Sequence, residues 1–303
     1  MNDSVIEAMN ITKDYGEGKG VFNETFSIKK GEMVGFLGTN GSGKTTTIRS
    51  LLGFIKPTSG HCFVEGKESW ENSSLILKDV GYVPGEIAFP DLGTGTAFFH
   101  SEAEFMGLKD LSFADELIKR LQLDPRANLK RMSKGMKQKT ALVAALMGEP
   151  SIIILDEPTT GLDPLMREAF VEIIEEEHKK GKTIFMSSHM FEEIEETCDR
   201  ALLISNGHLI DQVSIYDIHH PKIKEYKIEF KKKEEYLQFK NSGFKVKRDQ
   251  EQYNQLTIEI EKEDVGRLLK ALDKKDLRFI SEIQYTLEKH FVDTLVNSQI
   301  GGK

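Results

Sequence analysis

Only two cysteines, Cys62 and Cys198, occur in 303 residues, far apart and in no metal-ligand spacing. That excludes a disulfide framework and a cysteine zinc site, and it points to a reducing compartment. No run of about 18 apolar residues occurs, so no helix is expected to span a bilayer. The opening MNDSVIEAMN has neither the basic stretch nor the long apolar core of a secretory signal. A dominant basic charge is also missing: 41 Lys and Arg face 49 Asp and Glu, a formal net charge of −8. Residues 221–303 hold 18 basic and 15 acidic side chains, a net of +3, which leaves −11 for residues 1–220. A chain that grips phosphate backbones needs a large basic surface, so nucleic acid is not expected as a partner. There is no internal repeat and no low-complexity segment.

What remains is the composition of an ordinary globular chain, 39% hydrophobic and 30% charged, which excludes disorder as a general state. At about 150 residues per domain the length suggests two domains. The chain opens with short alternating apolar segments punctuated by Gly16, Gly18 and Gly20. Met33–Leu37, Ile152–Leu155 and Thr183–Met186 read as buried strands, and residues 100–147 show helical periodicity broken at Pro125. Strands alternating with helices predict a largely parallel α/β sheet with crossover helices. After about residue 218 the texture changes. Strands near 226–230, 244–246, 256–260 and 277–283 alternate with helices, one carrying Val265, Leu268, Leu269 and Leu272, the last spanning Leu287–Leu295. This predicts a small α+β domain over 219–303, consistent with a ferredoxin-like arrangement, behind a first domain over 1–218.

The first chemical signal lies after the Met33–Leu37 strand. Gly38, Thr39, Asn40, Gly41, Ser42, Gly43, Lys44 and Thr45 fit G-x-x-x-x-G-K-[ST], with Thr46 following as a helix begins. Glycines let the backbone curl so that successive N–H groups face phosphate oxygens, and the helix N-terminus adds partial positive charge. Lys44 reaches the β- and γ-phosphates of a nucleoside triphosphate, and the Thr45 hydroxyl is placed to ligate Mg²⁺. The motif alone does not separate kinases, GTPases and ATPases.

Its companions do. Asp156 and Glu157 end the buried strand Ile152–Leu155. Asp156 is placed to hold Mg²⁺ and Glu157 to polarise an attacking water. His189 follows the next strand through Ser187-Ser188, so it emerges at the same sheet edge, within reach of a γ-phosphate.

Between these motifs lies Met132-Ser133-Lys134-Gly135-Met136-Lys137-Gln138. Here the chain resembles the ATP-binding cassette (ABC) family, whose signature commonly reads L-S-G-G-Q. The resemblance rests on the phosphate loop at 38–45, this signature, Asp156-Glu157, Gly161-Leu162-Asp163-Pro164 and His189, five motifs in the family's order. It extends over roughly 1–215. It implies a P-loop NTPase cassette with a mixed or parallel sheet core, an N-terminal antiparallel β subdomain and an α-helical subdomain at about 86–150. It also implies that Tyr15 stacks on adenine, with ATP and Mg²⁺ as the ligands. Two cassettes, as a homodimer or with a related subunit, are expected to close head to tail. Ser133, Gly135 and Asp163 would then serve the ATP of the opposite subunit.

Two departures stand out. The signature has Lys134 and Met136 where the usual form has Gly and Gln, and Lys134 adds positive charge near phosphate. After Val80-Gly81-Tyr82-Val83-Pro84, where the family usually has Gln, this chain has Gly85 followed by Glu86. Glu86 and water are the two candidates to replace that metal ligand. Gly85 resembles a branch that exports drugs, antimicrobial peptides or polysaccharides. The resemblance thus implies an ATPase subunit at the cytoplasmic face of the cell membrane, powering a separate transmembrane permease, most readily an exporter. An importer subunit and a soluble regulatory or ribosome-associated ATPase are the alternatives.

Overall fold

The computed structural model describes residues 3–300. The chain divides into two compact units, the first ending at Val213 and the second beginning at Ser214. In the first, β1 (Ser4–Asp14) and β2 (Gly20–Lys29) form an antiparallel hairpin. Then come β3 (Met33–Leu37), α1 (Lys44–Leu51), β4 (Ser59–Val64), β5 (Lys67–Glu68), α2 (Ser69–Asp79) and β6 (Val80–Val83). Helices α3 (Gly95–Met106), α4 (Ser112–Arg120) and α5 (Lys134–Leu146) follow in succession. β7 (Ile152–Asp156), α6 (Pro164–Lys179), β8 (Thr183–Ser188), α7 (Phe191–Thr197), β9 (Arg200–Ser205) and β10 (His208–Ser214) complete the sequence of elements.

Two sheets result, an antiparallel one in the order β2-β1-β4-β5 and a six-stranded one in the order β10-β9-β3-β8-β7-β6. The pairs β3–β8, β3–β9, β7–β8 and β6–β7 are parallel. β3, β7 and β8 are buried at every position, as continuous apolar runs must be when a parallel sheet is covered on both faces. Phe26 of β2 packs its ring, tilted, against Phe36 of β3 and Phe185 of β8, with centroids at 6.1 and 5.9 Å. Ile48 and Leu51 of α1 join the same core. The two sheets and α1 therefore share one apolar interior, the α/β cassette the motifs imply. Because β3, β8 and β7 are neighbours with the same direction, the loops leaving their carboxyl ends open side by side.

In the helical part, Leu117, Leu142 and Val143 are fully buried, and Pro125 sits in the turn between α4 and α5. Among the described residues no helix is long and apolar enough to cross a membrane.

The second unit contains α8 (Ile215–His219), β11 (Ile223–Phe230), α9 (Lys233–Lys240), β12 (Lys245–Gln250), β13 (Gln255–Glu261), α10 (Val265–Leu272), β14 (Leu277–Ile283) and α11 (Leu287–Ile300). From β11 to β14 the elements run β-α-β-β-α-β, and the sheet order is β12-β13-β11-β14 with every pair antiparallel. That is the connectivity of the ferredoxin-like unit. Ile228, Phe230, Tyr236, Phe239, Leu256, Ile258 and Leu268 form its own core. Of the four apolar residues read onto one face of α10, Leu268 and Leu272 are buried but Leu269 is 61% exposed. One residue past Leu268 lies about 100° around the helix, off the buried stripe.

Glu24 is one of the acids buried in the first unit. Asn23 adopts a left-handed φ of 53° in β2, which breaks the alternation and turns Glu24 inward, where it is 0% exposed. The Thr47 hydroxyl of α1 donates to Glu24 Oε2 at 2.7 Å. Oε1 has no hydrogen-bond partner among the described residues. Burial pushes the carboxyl up to about 7, partly offset by the Thr47 hydrogen bond. A carboxyl raised in the folded state loses its relative stability as pH rises from its unfolded value through the folded one. Stability of the wild type relative to Glu24→Gln should therefore fall by about 3 kcal/mol between pH 4.5 and 8. Urea titrations at several pH values measure this, and parallel curves for the two proteins would contradict it.

Candidate active site

The loop between β3 and α1 is shaped by its glycines. Gly43 caps α1 with φ 118°, and a Cβ there would come within 2.5 Å of Val21 Cγ1. Gly41, at φ 79°, faces open space. Lys44 starts α1 and is 5% exposed. Its ammonium donates to Gly38 O at 2.7 Å and Thr39 O at 3.3 Å, so these two residues contribute backbone rather than side chain. It also lies 3.2 Å from Glu157 Oε1.

Behind Lys44, the carboxylate of Asp156 ends β7 with 0% exposure. Thr45 Oγ1 donates to its Oδ2 at 2.8 Å and Ser187 Oγ to its Oδ1 at 2.6 Å. The next residue, Glu157, takes a left-handed φ of 52°. This strained backbone is held by the Glu157 N–H, which bonds Ser187 O at 3.2 Å and Ser187 Oγ at 3.0 Å. The turn swings the Glu157 side chain back toward the phosphate loop, where its Oε2 meets His189 Nδ1 at 2.5 Å.

A cavity of about 550 Å³ opens over these groups. Tyr15, Asn40, Gly41, Ser42, Gly43, Lys44, Thr45, Thr46, Glu157 and His189 all line it. Tyr15 is 55% exposed at the rim, with Lys13 Nζ 5.5 Å from its ring centroid. Gly85 and Glu86 line the cavity too, and a Cβ on Gly85 would stand 3.1 Å from Asp156 Oδ2. The absent side chain therefore leaves room beside that carboxylate.

Ser133, Gly135 and Asp163 lie outside this cavity. Ser133 caps α5, its hydroxyl accepting the Met136 N–H at 3.2 Å. Asp163 likewise caps α6, accepting from Met166 N–H at 3.1 Å. Gly135 presses against the loop before α6, where a Cβ would come 2.6 Å from Gly161 O. Lys134, by contrast, lines the cavity of its own chain, together with Thr160 and Gly20. Sequence reasoning missed Thr160 and the bridging role of Ser187, although the quoted Ser187-Ser188 pair was the available signal.

The site therefore combines a phosphate loop, a buried ammonium, a hydroxyl–carboxylate pair and a glutamate–histidine pair. The ABC transporter family pattern matches residues 21–160. The bacitracin transport ATP-binding protein BcrA of Bacillus licheniformis is 36% identical over 213 residues, covering 69% of this chain and 70% of that protein. This chain belongs to the ABC transporter family. It is an ATP-binding subunit, and its chemistry is ATP hydrolysis. The likeness also runs past the cassette. The ATP-binding protein MJ1023 of Methanocaldococcus jannaschii, itself uncharacterized, is 30% identical over 293 residues, covering 95% of this chain and 98% of that one. Among solved structures, one described as the ATP binding subunit of an ABC transporter superposes with a TM-score of 0.66 at 28% identity, covering 72% of this chain and 92% of that one.

The donors around Asp156 also suit Mg²⁺. Thr45 and Asp156 converge as one hydroxyl and one carboxylate oxygen. Mg²⁺ favours such a sparse set, completed by phosphate oxygens and water, over an all-protein cage.

The glycine requirement can be tested directly. Gly43→Ala places a Cβ at an unfavourable φ and against Val21, so it should cost roughly 1–3 kcal/mol of stability together with nucleotide binding. Denaturation midpoints and ATP calorimetry read both effects, and a normal protein on both counts would contradict the geometry.

Proposed function

We propose that this chain hydrolyses ATP to drive a membrane exporter whose permease is a separate chain, working at the cytoplasmic face of the membrane. The observation that carries the hydrolytic reading is the contact chain Lys44–Glu157–His189 beside the Thr45–Asp156 pair. Lys44 binds the β- and γ-phosphates, and doing so draws its ammonium away from Glu157. Glu157 is then free to accept a proton from the attacking water, while His189 holds the glutamate and faces the γ-phosphate. Thr45 and Asp156 would hold Mg²⁺, which supplies neutralisation of phosphate charge when bound. The exposed ring of Tyr15 is placed for an adenine to stack on.

Ser133, Gly135 and Asp163 act on the nucleotide of a second cassette, a copy of this chain or a related subunit. What supports this is their position outside the chain's own cavity, at the start of α5 and α6. With its oxygen engaged by the Met136 N–H, the Ser133 hydroxyl keeps its proton for an outside acceptor. The α5 N-terminus adds its partial positive charge.

The permease would dock in a groove of about 680 Å³ between β6 and the helical part, lined by Tyr82, Phe89, Phe98, Phe105 and Met106 among others. Phe105 is 80% exposed there, which suits an apolar partner surface. Export of a drug or peptide is favoured over import by the likeness to a bacitracin transport subunit and by Gly85. Residues 219–303 serve as an accessory domain.

Glu157→Gln should bind ATP normally, reduce turnover by at least about 10²-fold and accumulate an ATP-bound dimer on size-exclusion chromatography. Near-normal hydrolysis would remove Glu157 from its role. Lys44→Ala should lose ATP affinity in calorimetry by at least about ten-fold, the scale of one charge-assisted phosphate contact, and unchanged affinity would refute its grip on phosphate. Co-purification with a permease, and stimulation of its ATPase by a drug or peptide, tests the exporter reading.

A further inference from the structure

A second acid besides Asp156 is buried near the cavity without lining it. Glu193, in the first turn of α7, is 5% exposed. The Ser188 hydroxyl donates to its Oε2 at 2.5 Å. The same Ser188 oxygen accepts the Met190 N–H at 3.0 Å, so the residues on both sides of His189 are bound to one another. Ser188 also reaches the phosphate loop, its carbonyl accepting the Gly38 N–H at 3.4 Å. Burial and the charge of Glu157 push the Glu193 carboxyl up, partly offset by Ser188, Thr159 and the charge of Arg167. Glu193 Oε1 and Arg167 Nε each lack a hydrogen-bond partner among the described residues. A buried acid with an unmet oxygen costs free energy, so its presence at this position asks for a role.

The elements it touches suggest one. The Ser188–Met190 turn carries His189, and the Thr159–Arg167 segment follows directly on Glu157 and contains Asp163. We propose that Glu193 is a positioning residue for hydrolysis, fixing the Ser188–Met190 turn so that His189 keeps its register on Glu157. This rests on the reading of Glu157 and His189 as the hydrolytic pair. The phosphate loop has its own internal supports, in the bonds from Lys44 to Gly38 and Thr39. Loss of Glu193 therefore disturbs chemistry and leaves binding in place.

Steady-state ATPase kinetics of the full-length chain test this. Glu193→Ala should lower kcat at least roughly ten-fold, as small misplacements of catalytic groups do, with KM for ATP within about two-fold of wild type. Glu193→Gln keeps an oxygen acceptor for Ser188 and should recover kcat to within about three-fold of wild type. Ser188→Ala should reproduce the Glu193→Ala defect. The double variant should be no slower than the worse single one, whereas independent effects would multiply. The inference is overturned by a kcat for Glu193→Ala within two-fold of wild type, by a KM rising in step, by failure of the glutamine to recover, or by multiplying effects. Should Glu193→Ala not fold, Ser188→Ala carries the test alone, and an unchanged kcat there overturns the inference. Glu157→Gln and His189→Ala run alongside. If they too retain turnover, the hydrolytic reading itself fails; if they abolish it while Ser188→Ala does not, only the role of Glu193 fails.

Discussion

The carboxylate of Asp156 is the point on which the first unit is organised. It is fully buried, and two hydroxyls meet it from different elements, Thr45 from α1 and Ser187 from β8. Hydroxyl donors lower the cost of burying a charge but do not cancel it. The group is therefore poised for a cation, and the room left by Gly85 lies on its open side. The hydroxyls can reach it only because β3, β8 and β7 run parallel in adjacent register, Leu37 beside Ser188 and Asp156 beside Ser187. Shifting one strand by a residue would point Asp156 or Ser187 to the opposite face and dismantle the site. The burial of these strands is thus a functional requirement as much as a packing one.

Around that fixed point the remaining charges form a chain rather than isolated pairs. Lys44 contacts Glu157, and Glu157 contacts His189. Each partner that would grip phosphate or water is engaged by a neighbour until a ligand displaces it. This keeps a largely buried ammonium and a glutamate of low exposure compensated in the same small volume. The left-handed backbone at Glu157 is the cost of that geometry, of order 1–3 kcal/mol, and two hydrogen bonds to Ser187 hold it in place.

How much of this was legible in the sequence depended on whether the signal was local. The phosphate loop is contiguous, its glycines answer to backbone geometry, and its placement between a strand and a helix follows from periodicity. Asp156-Glu157 and His189 were readable because each ends a compact apolar strand. What was not readable depends on contacts between distant segments or on one residue's backbone angle. Glu24 in a strand with exposed neighbours reads as a solvated acid until Asn23 turns it inward. Glu193 sits in Phe191-Glu192-Glu193-Ile194-Glu195-Glu196, which looks like an exposed acidic helix, and only Ser188 and Arg167 mark it as different. Leu269 has the apolar character of its neighbours but the wrong angle. Lys134 was readable as a positive charge near phosphate, but not which phosphate: its stem lies over Gly161 and it lines the cavity of its own chain.

The second unit shows why a count of charges is weaker evidence than their placement. Its small basic excess suggests free cations, yet several of them are held by glutamates of the sheet. Lys247 and Lys289 both reach Glu225, at 2.6 and 2.7 Å. Lys224 reaches Glu282 at 2.7 Å, Lys245 reaches Glu259 at 2.5 Å and Arg278 reaches Glu229 at 2.9 Å. The last three pairs lie between neighbouring antiparallel strands, each contributing a modest amount to sheet pairing. The pairs between neighbouring strands help set the register of the sheet.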